Sequence, residues 1–260
     1  MARQRLGQHF LADPAWRARI LATLGLRAND TWIEIGAGHG EMTRDLASRA
    51  GRVIAIETDA RLVKELQGRA CEWPNVEIVH GDVLALDLAE LAGIRFRVYG
   101  NLPYYITSPI LHRLFRNADR IESIHVVVQF EVAARIVARP GRRAYGYLSA
   151  ACQFYTRPEI VLRIPPGAFR PRPKVTSALL AMGLRGERDR LRVESEPAFL
   201  NFVQACFGQK RKTLRNNLRA IFPAEQAEAA LSLSSLPGDA RAEQLTLPQF
   251  AELFRRLRPT

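Results

Sequence analysis

Thr31-Trp32-Ile33-Glu34-Ile35-Gly36-Ala37-Gly38-His39-Gly40 is the stretch whose reading settles the fold. A short apolar run ends at three alternating glycines, and Met42, Leu46 and Ala47 then recur at helical spacing, which spells strand, turn and helix. Outward from it the same alternation repeats. Residues 52–56 form a strand ending at Glu57-Thr58-Asp59, before a helix carrying Leu62, Val63 and Leu66. Residues 76–80 end at Gly81-Asp82-Val83, and 96–100 end at Asn101-Leu102-Pro103-Tyr104. Residues 121–128, largely apolar in their second half, precede a helix from Glu131. Strands alternating with helices indicate an α/β fold built on a parallel sheet. Right-handed crossovers bring the carboxyl ends of the strands to one edge, where such folds bind ligands. Gly36, Glu57, Asp82 and Asn101 are therefore expected to converge in one cleft.

On the N-terminal side, a basic tail and a glycine turn lead to Asp13, which caps a helix from Pro14 whose apolar face carries Trp16, Ile20, Leu21 and Leu24. On the C-terminal side, residues 139–146 are an exposed Gly- and Arg-rich loop. A helix near 147–154 and apolar runs at 159–164 and 175–182 then complete the sheet. Between those runs, Pro165 to Ser177 is too rich in proline to be helical. Phe169 within it is either a local core plug or a second aromatic for the cleft. After the charged cluster 185–190 the alternation stops, and Phe199, Phe202, Leu214, Leu218, Phe250 and Phe254 recur at helical spacing. The expected division is a sheet domain over 1–184 and a small all-α domain over 185–260.

The 260 residues carry a net charge of +12, with 47% hydrophobic and 25% charged residues. That balance describes a soluble globular chain with an anionic partner, nucleic acid before membrane, since no segment has the apolar length to span a bilayer. Phosphate contacts are expected from Arg142 and Arg143 in the exposed loop and from Lys210, Arg211, Lys212 and Arg215 in the helical region. Cys71, Cys152 and Cys206 lack paired metal spacing and read as free thiols of a reducing cytoplasm, with no metal site.

The loops specify the chemistry. Gly36, Gly38 and Gly40 let backbone approach a ligand closely, and Glu57 is placed to accept from ribose hydroxyls. The third glycine falls one residue early for a dinucleotide fingerprint, and no hydride-transfer apparatus follows. Asp82 is placed to accept from an adenine amine. An adenosine-bearing ligand with no need for a phosphate cradle is S-adenosylmethionine, preferred here over NAD. In Asn101-Leu102-Pro103-Tyr104 the proline stiffens the turn and extends the residue before it. The Asn101 amide and the Leu102 carbonyl form an acceptor pair for an exocyclic amine, and Tyr104, with Phe169 as the second candidate, offers a stacking face for an extruded base. His9 and Leu11 lie in a turn able to close over the cofactor.

Taken in order, Gly7-Gln-His-Phe-Leu11, Glu34-Ile-Gly-Ala-Gly38, Gly81-Asp-Val83, Asn101-Leu-Pro-Tyr104, Phe169-Arg-Pro-Arg-Pro-Lys-Val175 and Gln209-Lys-Arg-Lys-Thr-Leu-Arg-Asn216 carry a family resemblance. The chain resembles the KsgA-type ribosomal RNA adenine dimethyltransferases from Gly7 to about Asn217. The resemblance implies a Rossmann-like methyltransferase fold with a seven-stranded sheet and a helical C-terminal domain. It implies dimethylation of two adjacent adenosines in small-subunit ribosomal RNA during subunit assembly, by a monomer using S-adenosylmethionine. It puts cofactor contacts at His9, Leu11, Gly36, Glu57, Asp82 and Asn101. The chain departs from the pattern at His9, where bacterial members more often carry Asn, and at Ala37, where many carry Pro. Two rivals share the fold: a resistance methyltransferase acting on large-subunit RNA, and a non-catalytic RNA-binding factor.

Overall fold

The computed structural model describes residues 9–209, 211–234 and 236–257. In chain order it contains β1 (Phe10–Leu11), α1 (Pro14–Leu24), β2 (Thr31–Ile35), α2 (Glu41–Ala47), β3 (Arg52–Glu57), α3 (Ala60–Arg69), β4 (Val76–His80) and α4 (Leu88–Ala92). There follow β5 (Phe96–Asn101), α5 (Thr107–Phe115), β6 (Ile121–Gln129), α6 (Phe130–Ile136), α7 (Tyr147–Tyr155), β7 (Arg157–Ile164), β8 (Phe169–Arg170) and β9 (Ser177–Gly183). The last five helices are α8 (Arg188–Leu191), α9 (Glu196–Cys206), α10 (Leu214–Leu218), α11 (Ala224–Leu233) and α12 (Leu247–Arg256).

Seven strands form one sheet in the order β4-β3-β2-β5-β6-β9-β7. The five strands from β4 to β6 are mutually parallel, and β9 runs antiparallel to β6. Every residue of β2 is buried, Thr31 and Glu34 included, as befits a central strand covered on both faces. Helix α1 starts as its sequence dictates: the Asp13 carboxylate accepts from the amides of Ala15 and Trp16 at 2.8 and 3.3 Å, and Pro14 occupies the first turn.

The chain divides into two compact units, and the division differs from a simple cut in sequence. The sheet unit ends at Ala133 and resumes over Pro158–Leu184; the helical unit combines Ala134–Arg157 with the chain from Arg185 onward. Residues 134–157, assigned by chain position to the sheet domain, are packed with the C-terminal helices. Phe154 meets Phe199 at 5.2 Å between ring centroids, Tyr145 meets Phe207 at 6.0 Å, and the Gly141 amide donates to the Glu243 carbonyl at 2.8 Å. Arg142 and Arg143 are thus surface residues of the helical unit. Apolar contacts far apart in sequence decided this, and no local pattern encodes them.

A second, two-stranded sheet pairs β1 with β8 in antiparallel register, Phe10 opposite Arg170 and Leu11 opposite Phe169. Among the described residues no helix is long and apolar enough to cross a membrane.

Candidate active site

The carboxyl ends of β2, β3, β4 and β5 surround a cavity of about 350 Å³. Gly36, Glu57, Thr58, Asp82, Asn101 and Tyr104 all line it, with His9 and Phe10 from the N-terminal segment closing one side. Gly36 has a positive φ of 76°, and a Cβ built there would find nothing nearer than the Asn101 carbonyl oxygen at 3.9 Å. The glycine turn and the Asn-Leu-Pro-Tyr turn therefore face one space.

Glu57 is buried and holds that space in shape. Its Oε2 accepts from the Gly38 amide at 2.9 Å, while Oε1 accepts from the amides of Thr58 and Asp59 at 2.8 and 3.0 Å. Three backbone donors leave this carboxylate limited capacity for a ligand. Asp82 is exposed, with Oδ1 engaged by the Leu84 amide at 2.9 Å. Leu102 donates its amide to the Val127 carbonyl at 3.0 Å, and the turn closes on the Pro103 carbonyl, which accepts from Ile106 at 3.2 Å. Tyr104 is held by a hydroxyl contact of 3.0 Å with Ser177 and by the His9 ring at 5.7 Å. Beneath the glycine turn, Glu34 accepts from the Thr43 hydroxyl at 2.6 Å, and burial pushes its carboxyl up to about 8, with Glu57, Glu41 and Asp45 adding to the rise.

Three expected site residues stand elsewhere. Phe169 is 0% exposed and Leu11 8% exposed, both in the apolar cluster with Tyr99, Val127 and Leu179. They are partners across the β1·β8 pair, so Phe169 is the core plug and offers no stacking face to the cavity. Gly38 is absent from the lining: a Cβ there would strike the Phe10 ring at 2.9 Å, so its bareness makes room for Phe10. Arg215, expected to contact phosphate, approaches the Glu228 carboxylate at 3.3 Å, and Arg219 reaches the same carboxylate at 2.8 Å. Arg211 and Lys212 are exposed and unpaired among the described residues. Lys210, Gly7 and Gln8 lie outside the described residues. Sequence reasoning missed Thr58, Leu84, Tyr105 and Ile110 in the lining. Tyr105, 63% exposed, had one signal, its place directly after Tyr104.

The family model described as "Ribosomal RNA adenine dimethylase" matches residues 1–258. A ribosomal RNA small subunit methyltransferase A from Koribacter versatilis is 41% identical, covering 98% of this chain and 94% of the relative. One of the same name from Acidobacterium capsulatum is 43% identical, covering 97% and 90%. The crystal structure of the 23S rRNA methyltransferase ErmE superposes with a TM-score of 0.73 at 31% identity, covering 95% of this chain and 99% of that one. That of a dimethyladenosine transferase from Plasmodium falciparum gives 0.79 at 23% identity, covering 95% and 96%, which speaks for the fold. With four strand ends converging on one cavity and a family match along nearly the whole chain, the protein belongs to the ribosomal RNA adenine dimethylase family.

Proposed function

We propose that this protein dimethylates the exocyclic amines of two adjacent adenosines in a hairpin loop near the 3′ end of small-subunit ribosomal RNA, using S-adenosylmethionine, during assembly of the subunit in the cytoplasm. The observation that carries this reading is the shared cavity, whose lining includes Gly36, Glu57 and Asp82 together with Asn101, Leu102 and Tyr104. The 41–43% identical relatives bear the name of a small-subunit enzyme, which favours that substrate over large-subunit RNA.

The residues suit the cofactor. Gly36 offers an edge that no side chain fills, and Asp82 is an exposed carboxylate at the end of β4, suited to an adenine amine. Glu57 serves chiefly by holding the turn, with ribose hydroxyls reaching only its spare lone pairs. When bound, S-adenosylmethionine supplies an electrophilic methyl group. The protein's part is to present the nucleophile. An adenine amine is nearly planar because its lone pair is delocalised into the ring. Asn101 Oδ1 and the Leu102 carbonyl accept its two hydrogens and favour the tetrahedral form, freeing the lone pair. Tyr104, its ring braced by Ser177 and His9, supports the extruded base. Catalysis on this account is orientation and preorganised hydrogen bonding.

Parallel incubations of labelled S-adenosylmethionine with immature small subunits and with large-subunit RNA, followed by mapping of the modified nucleotides, test the proposal. Label on two adjacent adenosines of the small-subunit RNA is expected. Label confined to large-subunit RNA would move the assignment to the activity named for ErmE. No label on either RNA would leave a binding protein.

A further inference from the structure

His9 is tied down at both its ring and its backbone. Its Nδ1 lies 2.7 Å from the Pro171 carbonyl, so that nitrogen carries a hydrogen. Its own carbonyl accepts from Asn101 Nδ2 at 2.7 Å. The residues that follow are laced to the same partner segment. Phe10 and Leu11 pair with Arg170 and Phe169, and the amides of Ala12 and Asp13 both reach the Ala168 carbonyl, at 3.0 and 3.1 Å. Phe169, fully buried, anchors that segment in the core. Residues 9–13 thus form a strap whose position is set by 168–171.

An amide has one donating and one accepting end. With Nδ2 committed to a fixed carbonyl, the group Asn101 has left for a substrate is its oxygen. We propose that the His9 main-chain carbonyl is a positioning group that holds the Asn101 amide with its oxygen toward the substrate amine, and that it makes position 101 selective for an amide over a carboxylate. The role rests on the reading of Asn101 as acceptor given above. An ionised aspartate in the same place sets two acceptors against each other across 2.7 Å. A protonated aspartic acid reproduces the amide pattern, its O–H donating to His9 and its C=O accepting the amine. The other titratable groups lining the cavity are His9, Glu57, Asp82, Tyr104 and Tyr105. They are common to wild type and variant, so the comparison cancels them.

The test is the pH profile of Asn101→Asp in the full-length protein, measured as methyl transfer to immature small subunits between about pH 5.5 and 8. Activity is expected about a hundredfold below wild type at the upper end, rising relative to wild type by up to tenfold per pH unit as the carboxyl protonates. A flat ratio across the range overturns the proposal. So does inactivity at every pH while S-adenosylhomocysteine still binds. Nuclear magnetic resonance of asparagine-labelled protein supplies a second readout independent of turnover. One Asn101 Nδ2 hydrogen should be shifted downfield and slow to exchange, and His9→Ala, which cuts the tie to Pro171, should move it toward the free-amide position. An Asn101 amide with free-solvent shifts in wild type overturns the positioning role. A wild type that holds this amide signature yet methylates no RNA refutes the proposed function instead.

Discussion

Glu57 holds three backbone amides from two stretches of chain, so its removal should damage the turn as well as the ligand site. Glu57→Ala is expected to lower stability by about 1–3 kcal/mol, as buried donors left unpaired do. It should also weaken S-adenosylhomocysteine binding by calorimetry. A variant of wild-type stability would show the three bonds to be dispensable. Asn101→Ala removes the acceptor without touching the glycine turn; methyl transfer should be lost and cofactor affinity retained, and turnover close to wild type would remove Asn101 from the mechanism. Glu34 makes a prediction about pH. Its carboxyl rises from 4.5 to about 8 in the fold, so the folded state keeps a proton that the unfolded chain releases. That stability is fully present below the unfolded value and declines as pH climbs toward the folded one, by up to about 1.4 kcal/mol per pH unit. Glu34→Gln should flatten the decline, as followed by urea unfolding across that window.

At the scale of elements, the β1·β8 pair turns a loop into a support. Phe169→Ala should cost about 3–5 kcal/mol, the range for a buried aromatic, and should act on catalysis only through the strap. Helix α10 illustrates how a helical face read from spacing loses charge to a neighbour. Leu214 and Leu218 are buried as their periodicity requires, yet Arg215 and Arg219 turn to Glu228 on α11. Neutralising Arg211 and Lys212 together should therefore reduce the salt dependence of RNA binding, by about 0.7–0.9 in log–log slope for each phosphate no longer neutralised. Neutralising Arg215 should change the slope less than neutralising Arg211 or Lys212, because it shares the Glu228 carboxylate with Arg219. Filter binding at several salt concentrations separates the two results.

For the whole molecule, a net charge of +12 favours an anionic partner, and four strand ends converge on one cavity. The succession of parallel strands was legible in the chain because largely apolar segments alternate with helical spacing and crossovers run one way. Gly36, Glu57, Asp82 and Asn101 were legible for the same reason: each follows or ends a strand, and topology brings strand ends together. What tertiary structure alone decided was where side chains with two possible fates would go. Phe169 and Leu11 became core, Gly38 made room for Phe10, Arg215 found Glu228, and residues 134–157 joined the helical unit. Local pattern determines which residues can form a strand, a turn or a helix. Which partner each side chain meets depends on surfaces distant in sequence, and those come together only when the chain has folded.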